Sequence, residues 1–284
     1  MSKVVQRLLT FITAIPLCVL LIWFGKQQNH LLLNIIIIIT AVIAANETQI
    51  LLKQNFSVQP RLFVLLLTFL VSGVGTLCTT FNFSMEYSIF AFVFAFACIL
   101  IFEIFSKVSE GEQFSHSLFR ILSSSFTLLY TSFFLTFVQR MTTWHDSREN
   151  LIVFLLMVFM CDSVAWLFGV TMGKNNRGIV KVSPNKSVMG FIGGFVGSIA
   201  VGILSCFLFP SVYNSISKMV ILGVITAFAA ILGDLAESVM KRSAQIKDSG
   251  NIIPGRGGIL DSIDSILFAA PVFYFAIQFL FKLS

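Results

Sequence analysis

The sequence has few charged side chains. Asp, Glu, Lys and Arg make up 11% of its 284 residues and hydrophobic residues make up 57%, whereas soluble domains carry roughly 25% charged residues. This composition excludes an ordinary soluble domain, because too few polar side chains exist to cover its surface. Apolar runs of about 18 residues or more recur along the chain, and each is a candidate membrane-spanning helix. The sequence therefore predicts an all-α polytopic membrane protein.

Cysteine and histidine are also scarce. The five cysteines lie inside apolar runs, and none belongs to a CxxC pair, which excludes a disulfide framework and a cysteine zinc site. The three histidines lie in scattered loops, so a Ser-His-Asp mechanism is not expected. No GxGxxG motif occurs in a strand–helix context, which excludes a dinucleotide-binding fold.

The apolar runs predict about nine transmembrane helices in one membrane domain, residues 1–284, with no soluble module. We place them at 8–25, 31–52, 62–80, 87–105, 118–139, 151–172, 188–209, 219–240 and 263–281. The basic N-terminal run could be a signal peptide. It lacks a clear cleavage site, and we interpret it as the first span.

The distribution of basic residues predicts the orientation. Of the 19 Lys and Arg residues, fourteen fall on the side that holds the N-terminus and five on the other. The positive-inside rule therefore places the N-terminus in the cytoplasm and the C-terminus on the opposite side. It also places the loops 173–187 and 241–262 together on the cytoplasmic face. In a membrane protein a net charge of +6 indicates contact with anionic lipid headgroups, so we expect the bilayer and no nucleic acid as a partner.

Acidic residues fall within the predicted spans, among them Glu47, Glu103, Asp162, Asp234 and Glu237. An ionisable group at membrane depth usually faces a partner or a wet cavity. For the two glutamates of the second and fourth spans, a structural hydrogen bond and a functional role are equally good interpretations. For the two aspartates we favour function, because each precedes a charged cytoplasmic loop.

The most polar stretch of the chain is residues 233–264. On a helix, Asp234, Ser238 and Lys241 share one face, since they are spaced four and three residues apart. Carboxylate oxygens suit a hard cation such as Mg²⁺, and a lysine suits a phosphate. The alternative is a helix-end ion pair between Glu237 and Lys241.

A glycine-rich turn follows and ends in two further aspartates. Glycines 250, 255, 257 and 258 allow backbone N–H groups to approach phosphate oxygens. Asp261 and Asp264 lie where the ninth helix begins, and the alternative is that they only cap it. Together with the preceding carboxylate and lysine, they predict a metal–polyphosphate site.

A second basic loop lies between the sixth and seventh spans. It carries Lys174, Arg177, Lys181 and Lys186 without an acidic residue, and this concentration of positive charge favours binding of an anion. Ordinary contact with lipid headgroups is the alternative. The glycines that open the seventh span predict close helix packing.

These motifs resemble the phosphatidate cytidylyltransferases. The family signature runs S-x-x-K-R, K-D, a Pro-Gly-His-Gly-Gly turn and Asp-Arg-x-Asp, and it is matched here by Ser238, Lys241, Arg242, Lys247, Asp248, Pro254, Gly255, Gly257, Gly258, Asp261 and Asp264. The family's Gly-Asp and Glu-Ser pairs are matched by Gly233–Asp234 and Glu237–Ser238. Further upstream, its Asp-Ser-x-Ala-Tyr, Gly-Lys and Ser-Pro-Lys segments are matched by Asp162, Ala165, Trp166, Gly173, Lys174, Ser183, Pro184 and Lys186. Three departures stand out: Arg256 replaces the signature His, Ser262 replaces the Arg, and Val188–Met189 replaces a Trp-Glu pair.

The resemblance implies transfer of a cytidylyl group from CTP to phosphatidic acid, with Mg²⁺, alone or with a second cation, as the cofactor. It makes 151–284 the catalytic half and 1–150 a set of N-terminal helices matched only in hydropathy. It also implies a homodimer, and the short chain indicates a bacterial inner membrane. The alternatives are a transporter of an anionic solute and a CTP-using enzyme acting on another lipid.

The roles expected for individual residues follow from the resemblance together with the motifs. Catalytic residues would be Asp234, Ser238, Lys241 and Asp261. Metal ligands would be Asp162, Asp234, Asp261 and Asp264. Substrate-binding residues would be Lys174, Ser183, Lys186, Arg242, Lys247, Gly255, Arg256, Gly257 and Gly258.

Overall fold

The computed structural model describes residues 3–106, 114–253 and 257–281, and these are almost entirely helical. Nine helices lie within the described ranges: α1 (Lys3–Phe24), α2 (Leu31–Leu52), α3 (Arg61–Phe81), α4 (Glu86–Ile104), α5 (Ser117–Met141), α6 (Ser147–Thr171), α7 (Val188–Leu208), α8 (Ile216–Ser243) and α9 (Leu260–Phe281). The only β-structure in these ranges is two isolated bridges, Arg177 with Ser187 and Ile253 with Gly257.

Eight of the described helices, α2 to α9, are long and apolar enough to cross a membrane. The predicted first span corresponds to α1, whose apolar part in the described residues is Ile15–Phe24. These findings confirm a polytopic all-α membrane protein. The sidedness of the helices stays a prediction.

The last two helices extend beyond the predicted spans. Helix α8 continues to Ser243 and α9 begins at Leu260, whereas hydropathy placed their ends at 240 and 263. Hydropathy detects only the apolar stretch of a helix, while backbone hydrogen bonds continue into the polar ends. Asp261 therefore lies in the first turn of α9.

The chain divides into two compact units. The first contains Met1–Thr143 and Met240–Ser262, and the second contains Trp144–Val239 and Ile263–Ser284. Helices α8 and α9 each contribute residues to both units.

Hydrogen bonds between buried polar groups hold the first unit together. Gln49 of α2 donates to Thr127 of α5 at 2.9 Å, and Gln139 donates to the Ser72 carbonyl at 3.0 Å. Helix α5 contains a π-helical turn, Leu128–Phe133, of the kind that often marks a functional or adaptable segment. An apolar cluster packs beside these bonds and consists of Leu67, Val71, Ala95, Ile99 and Leu128.

In the second unit, glycines allow helix backbones to approach closely. A Cβ on Gly193 of α7 would lie 2.7 Å from the Val164 carbonyl oxygen of α6. A Cβ on Gly233 of α8 would lie 2.5 Å from the Asp264 carbonyl oxygen of α9. The predicted close packing at the start of the seventh helix is confirmed, and the second contact brings α8 against the acidic turn of α9.

Candidate functional site

An ion pair between α8 and α9 is the centre of the polar cluster in the first unit. The Lys241 Nζ lies 2.6 Å from the Asp261 Oδ1, with side chains 15% and 5% exposed. The other oxygen, Oδ2, accepts the Ser249 N–H at 2.8 Å and the Gly258 N–H at 2.7 Å. It also accepts the Ser249 hydroxyl at 2.9 Å. Asp261 is thus held by four donors, and its carboxylate organises the loop before it.

The described part of the glycine-rich turn is closed by its own backbone. The N–H groups of Ile253 and Gly257 donate to each other's carbonyl oxygens at 2.8 and 3.0 Å. Gly257 has a φ of +114°, a backbone conformation that residues other than glycine adopt only with strain. The N–H groups of Gly257 and Gly258, predicted to bind phosphate, therefore donate here to acceptors of the protein itself. The predicted residues Gly255 and Arg256 lie outside the described residues.

A second ion pair joins the basic loop to α8 within the second unit. The Lys186 Nζ lies 2.7 Å from the Asp234 Oδ2, with side chains 22% and 35% exposed. Ser238, one turn further along α8, places its hydroxyl 3.5 Å from the Asp234 Oδ1, which is at the outer limit of a hydrogen bond. The Lys241 ammonium donates to Asp261, and the pairing of Glu237 with Lys241, one alternative from the sequence, stays a prediction.

Three carboxylates of the second unit lie near Asp264. Its side chain is buried, and Asp234, Glu237 and Asp162 are near enough to interact with it electrostatically. The Ser265 hydroxyl donates to Asp162 at 3.4 Å. Glu237 is fully buried and was not among the predicted site residues. Its position three residues after Asp234 could have indicated it, because that spacing places both on one side of a helix.

The acidic cluster can be compared with the needs of a magnesium ion. Buried carboxylate oxygens are the donors that Mg²⁺ prefers, and a divalent cation would offset the repulsion among them. Within the described residues, however, no three His, Cys, Asp or Glu side chains are arranged so that they could hold a metal ion. The carboxylate oxygens of the cluster are suitable ligands for the metal, but the described side chains are not positioned as a coordination sphere.

The basic loop before α7 is ordered by short-range hydrogen bonds. The Lys186 N–H donates to the Ser183 carbonyl at 3.0 Å, and the Ser187 hydroxyl caps α7 by accepting the Gly190 N–H at 3.0 Å. Lys186 therefore directly precedes a fixed helix start. Three other basic residues of the described chain were predicted to bind substrate, and their side chains are exposed, namely Lys174, Arg242 and Lys247.

Comparison with known sequences gives the following likenesses. A sequence model described as the cytidylyltransferase family matches residues 5–280. A phosphatidate cytidylyltransferase of Staphylococcus haemolyticus is 36% identical over 159 residues, which cover 56% of this chain and 60% of that protein. One from Thermotoga maritima is 33% identical over 186 residues, covering 62% of this chain and 66% of that protein. One from Synechocystis is 39% identical over 129 residues, covering 44% and 43%. The matched part thus spans about 60% of the length of the staphylococcal relative.

Proposed function

The chain belongs to the cytidylyltransferase family, and we propose on this basis that it transfers a cytidylyl group from CTP to phosphatidic acid. The products are CDP-diacylglycerol and pyrophosphate. The observation that carries the proposal is the pairing of two signature aspartates with two signature lysines, Asp234 with Lys186 and Asp261 with Lys241. Relatives that this chain matches are named phosphatidate cytidylyltransferases.

The reaction needs charge neutralisation more than it needs a base. An oxygen of the lipid phosphate attacks the α-phosphorus of CTP, and the bond from that phosphorus to the bridging oxygen breaks. Pyrophosphate leaves with the electron pair. Because the attacking oxygen is already anionic, catalysis rests on positioning the two phosphates and offsetting their charge.

We assign a phosphate-binding role to both lysines. Lys186 and Lys241 are held by carboxylates at the ends of membrane helices, so their ammonium groups are oriented before a ligand arrives. The exposed Lys174, Arg242 and Lys247 add positive charge that attracts a triphosphate. Gly255 and Arg256 are assigned to the same role from the sequence.

Magnesium is part of the proposal. Asp162, Asp234 and Asp264 would hold it, and the metal would offset the charge of the phosphate oxygens. Asp261 was also predicted as a ligand. Since its Oδ2 already accepts three hydrogen bonds, we assign it to holding Lys241 and the loop instead.

The finer assignments of location and assembly rest on likeness. The relatives come from bacteria, which supports the inner membrane as the location. The family resemblance supports a homodimer. Fractionation of a cell that expresses the protein tests the first, and the mass of the protein in detergent tests the second.

The activity is tested with purified protein, labelled CTP, Mg²⁺ and phosphatidic acid. Pyrophosphate release that depends on phosphatidic acid supports the proposal. Release that depends only on a different lipid would identify a CTP-using enzyme for that lipid, and no release with any lipid would contradict enzymatic transfer and leave anionic transport to be examined. Lys186→Gln should reduce the release, and Lys181→Gln, a change in the same loop at an exposed position, is the matched control.

A further inference from the structure

Glu47 is a buried carboxylate in the middle of an apolar sequence. It lies near the end of α2 and is 3% exposed. An ionised group at such a position is costly unless it is paired and hydrogen-bonded. The partners of Glu47 therefore explain why the protein keeps it there.

The partners are backbone groups at the start of α9, more than 200 residues along the chain. The Ile259 N–H donates to the Glu47 Oε1 at 3.0 Å, and the Leu260 N–H donates to Oε2 at 2.7 Å. The first N–H groups of a helix have no partner within the helix, and the helix dipole favours a negative charge at this end. Glu47 thus caps α9 from a different helix.

The loop before α9 is shaped to admit this carboxylate. A Cβ on Gly250 would lie 2.6 Å from the Glu47 Oε1. A Cβ on Gly258 would lie closer still to the Glu47 Oε2, so a side chain at either position would displace the carboxylate. The glycines at 250 and 258 therefore leave space for the Glu47 carboxylate, in addition to allowing the turn itself.

Ser249 connects Glu47 to the ion pair described above. Its hydroxyl lies 3.2 Å from the Glu47 Oε2 and 2.9 Å from the Asp261 Oδ2. A hydroxyl has one proton, so it donates to one carboxylate at a time. Both carboxylates also bind backbone N–H groups in the segment 249–260, so together they fix the loop from two sides.

We infer that Glu47 is a positioning residue for the proposed transfer, and this inference rests on the proposed function. It fixes the loop and the first turn of α9 in the arrangement that holds Asp261 against Lys241. Loss of its charge lets this turn shift, and a displacement of about 1 Å at a reacting group can reduce a rate on the order of a hundredfold.

The main test replaces Glu47 by glutamine. An amide keeps one acceptor oxygen and presents a donor in place of the other, so at least one of the Ile259 and Leu260 N–H groups loses its acceptor. We expect hydrogen exchange in the segment 257–264 to become about tenfold faster or more, the size of one charge-assisted hydrogen bond. We also expect kcat to fall by about tenfold to a hundredfold, with a much smaller change in the KM for CTP.

Glu103→Gln is the matched control. Glu103 is a buried carboxylate near the end of α4, and it pairs with Arg120 and Gln59 instead of the loop. The Glu103→Gln variant should leave hydrogen exchange in the segment 257–264 and kcat close to the wild-type values. Ser249→Ala, which keeps the backbone N–H that binds Asp261, is a milder second variant and should lower kcat less than Glu47→Gln without loss of folding.

The outcomes separate the inference from the proposed function. Unchanged exchange in 257–264 of the Glu47→Gln protein overturns the inference, whatever the activity. An equal loss of kcat in Glu47→Gln and Glu103→Gln also overturns it, because that result indicates a general effect of removing a buried charge. If the wild-type protein has no activity with CTP and phosphatidic acid, the proposed function fails, and the exchange measurement still decides whether Glu47 fixes the loop.

Discussion

Replacing Asp261 by asparagine separates the structural from the chemical role of its charge. One oxygen of the carboxylate accepts a hydrogen bond from the Lys241 ammonium, and the other oxygen accepts three hydrogen bonds from the loop. Asparagine keeps a single acceptor oxygen. If that oxygen faces the loop, the amide donor faces the lysine ammonium, and if it faces the lysine, the loop loses its acceptor.

The expected loss of stability follows from the burial of the pair. Lys241 is 15% exposed and Asp261 5%, so removal of the aspartate charge takes a counter-charge away from a largely buried lysine. Breaking a buried pair in this way costs about 3–5 kcal/mol in the free energy of unfolding. Removing both charges with Lys241→Met and Asp261→Asn together should restore most of that stability, because the lysine charge is then removed together with the carboxylate that offsets it.

The assays are unfolding of the purified protein in mixed micelles and CTP-dependent formation of the lipid product. The single and the double variant should both lack activity, while only the single variant should be strongly destabilised. Asp248→Asn, at an exposed position of the same loop, is the stability control and should change it by about 0.5 kcal/mol or less. An Asp261→Asn protein as stable as the wild type, or a double variant with full activity, would refute the reasoning.

Three further predictions concern the second unit and its helix packing. Lys186→Gln should raise the KM for CTP while lowering stability by at most about 1 kcal/mol, since its pair with Asp234 is partly exposed. Gly193→Ala should destabilise the protein by about 1–3 kcal/mol, as its methyl group meets a backbone carbonyl of α6; thermal unfolding measures this, with Gly73→Ala as the control, because a Cβ there meets nothing within 4 Å. Burial raises the pKa of Tyr213 well above 10.0, so the unfolded chain releases the tyrosine proton first and stability should fall as the pH rises above about 10; Tyr213→Phe should lack this fall in an unfolding series from pH 8 to 11.

Much of the fold could be predicted because a bilayer restricts the choices. A segment that crosses hydrocarbon must satisfy its backbone internally, so apolar length alone located α2 to α9 closely. The end of α8 was predicted too early and the start of α9 too late, because hydropathy does not detect the part of a helix that lies in polar sequence. The pairing of Lys241 was open between Glu237 and a phosphate-binding role. The structure adds a partner that neither alternative named, because Asp261, twenty residues further on, accepts a hydrogen bond from the lysine.

The sequence by itself determined the class of the protein, its helices, the close packing at the start of the seventh helix and the signature residues, because each depends on local composition or spacing. Only the tertiary structure assigned Glu47 to the start of α9, Lys186 to Asp234 and the acidic residues of the second unit to Asp264. A carboxylate in an apolar helix shows that a partner must exist. Which partner it has depends on how distant helices pack, and no local pattern in this chain encodes a contact between residues 47 and 260.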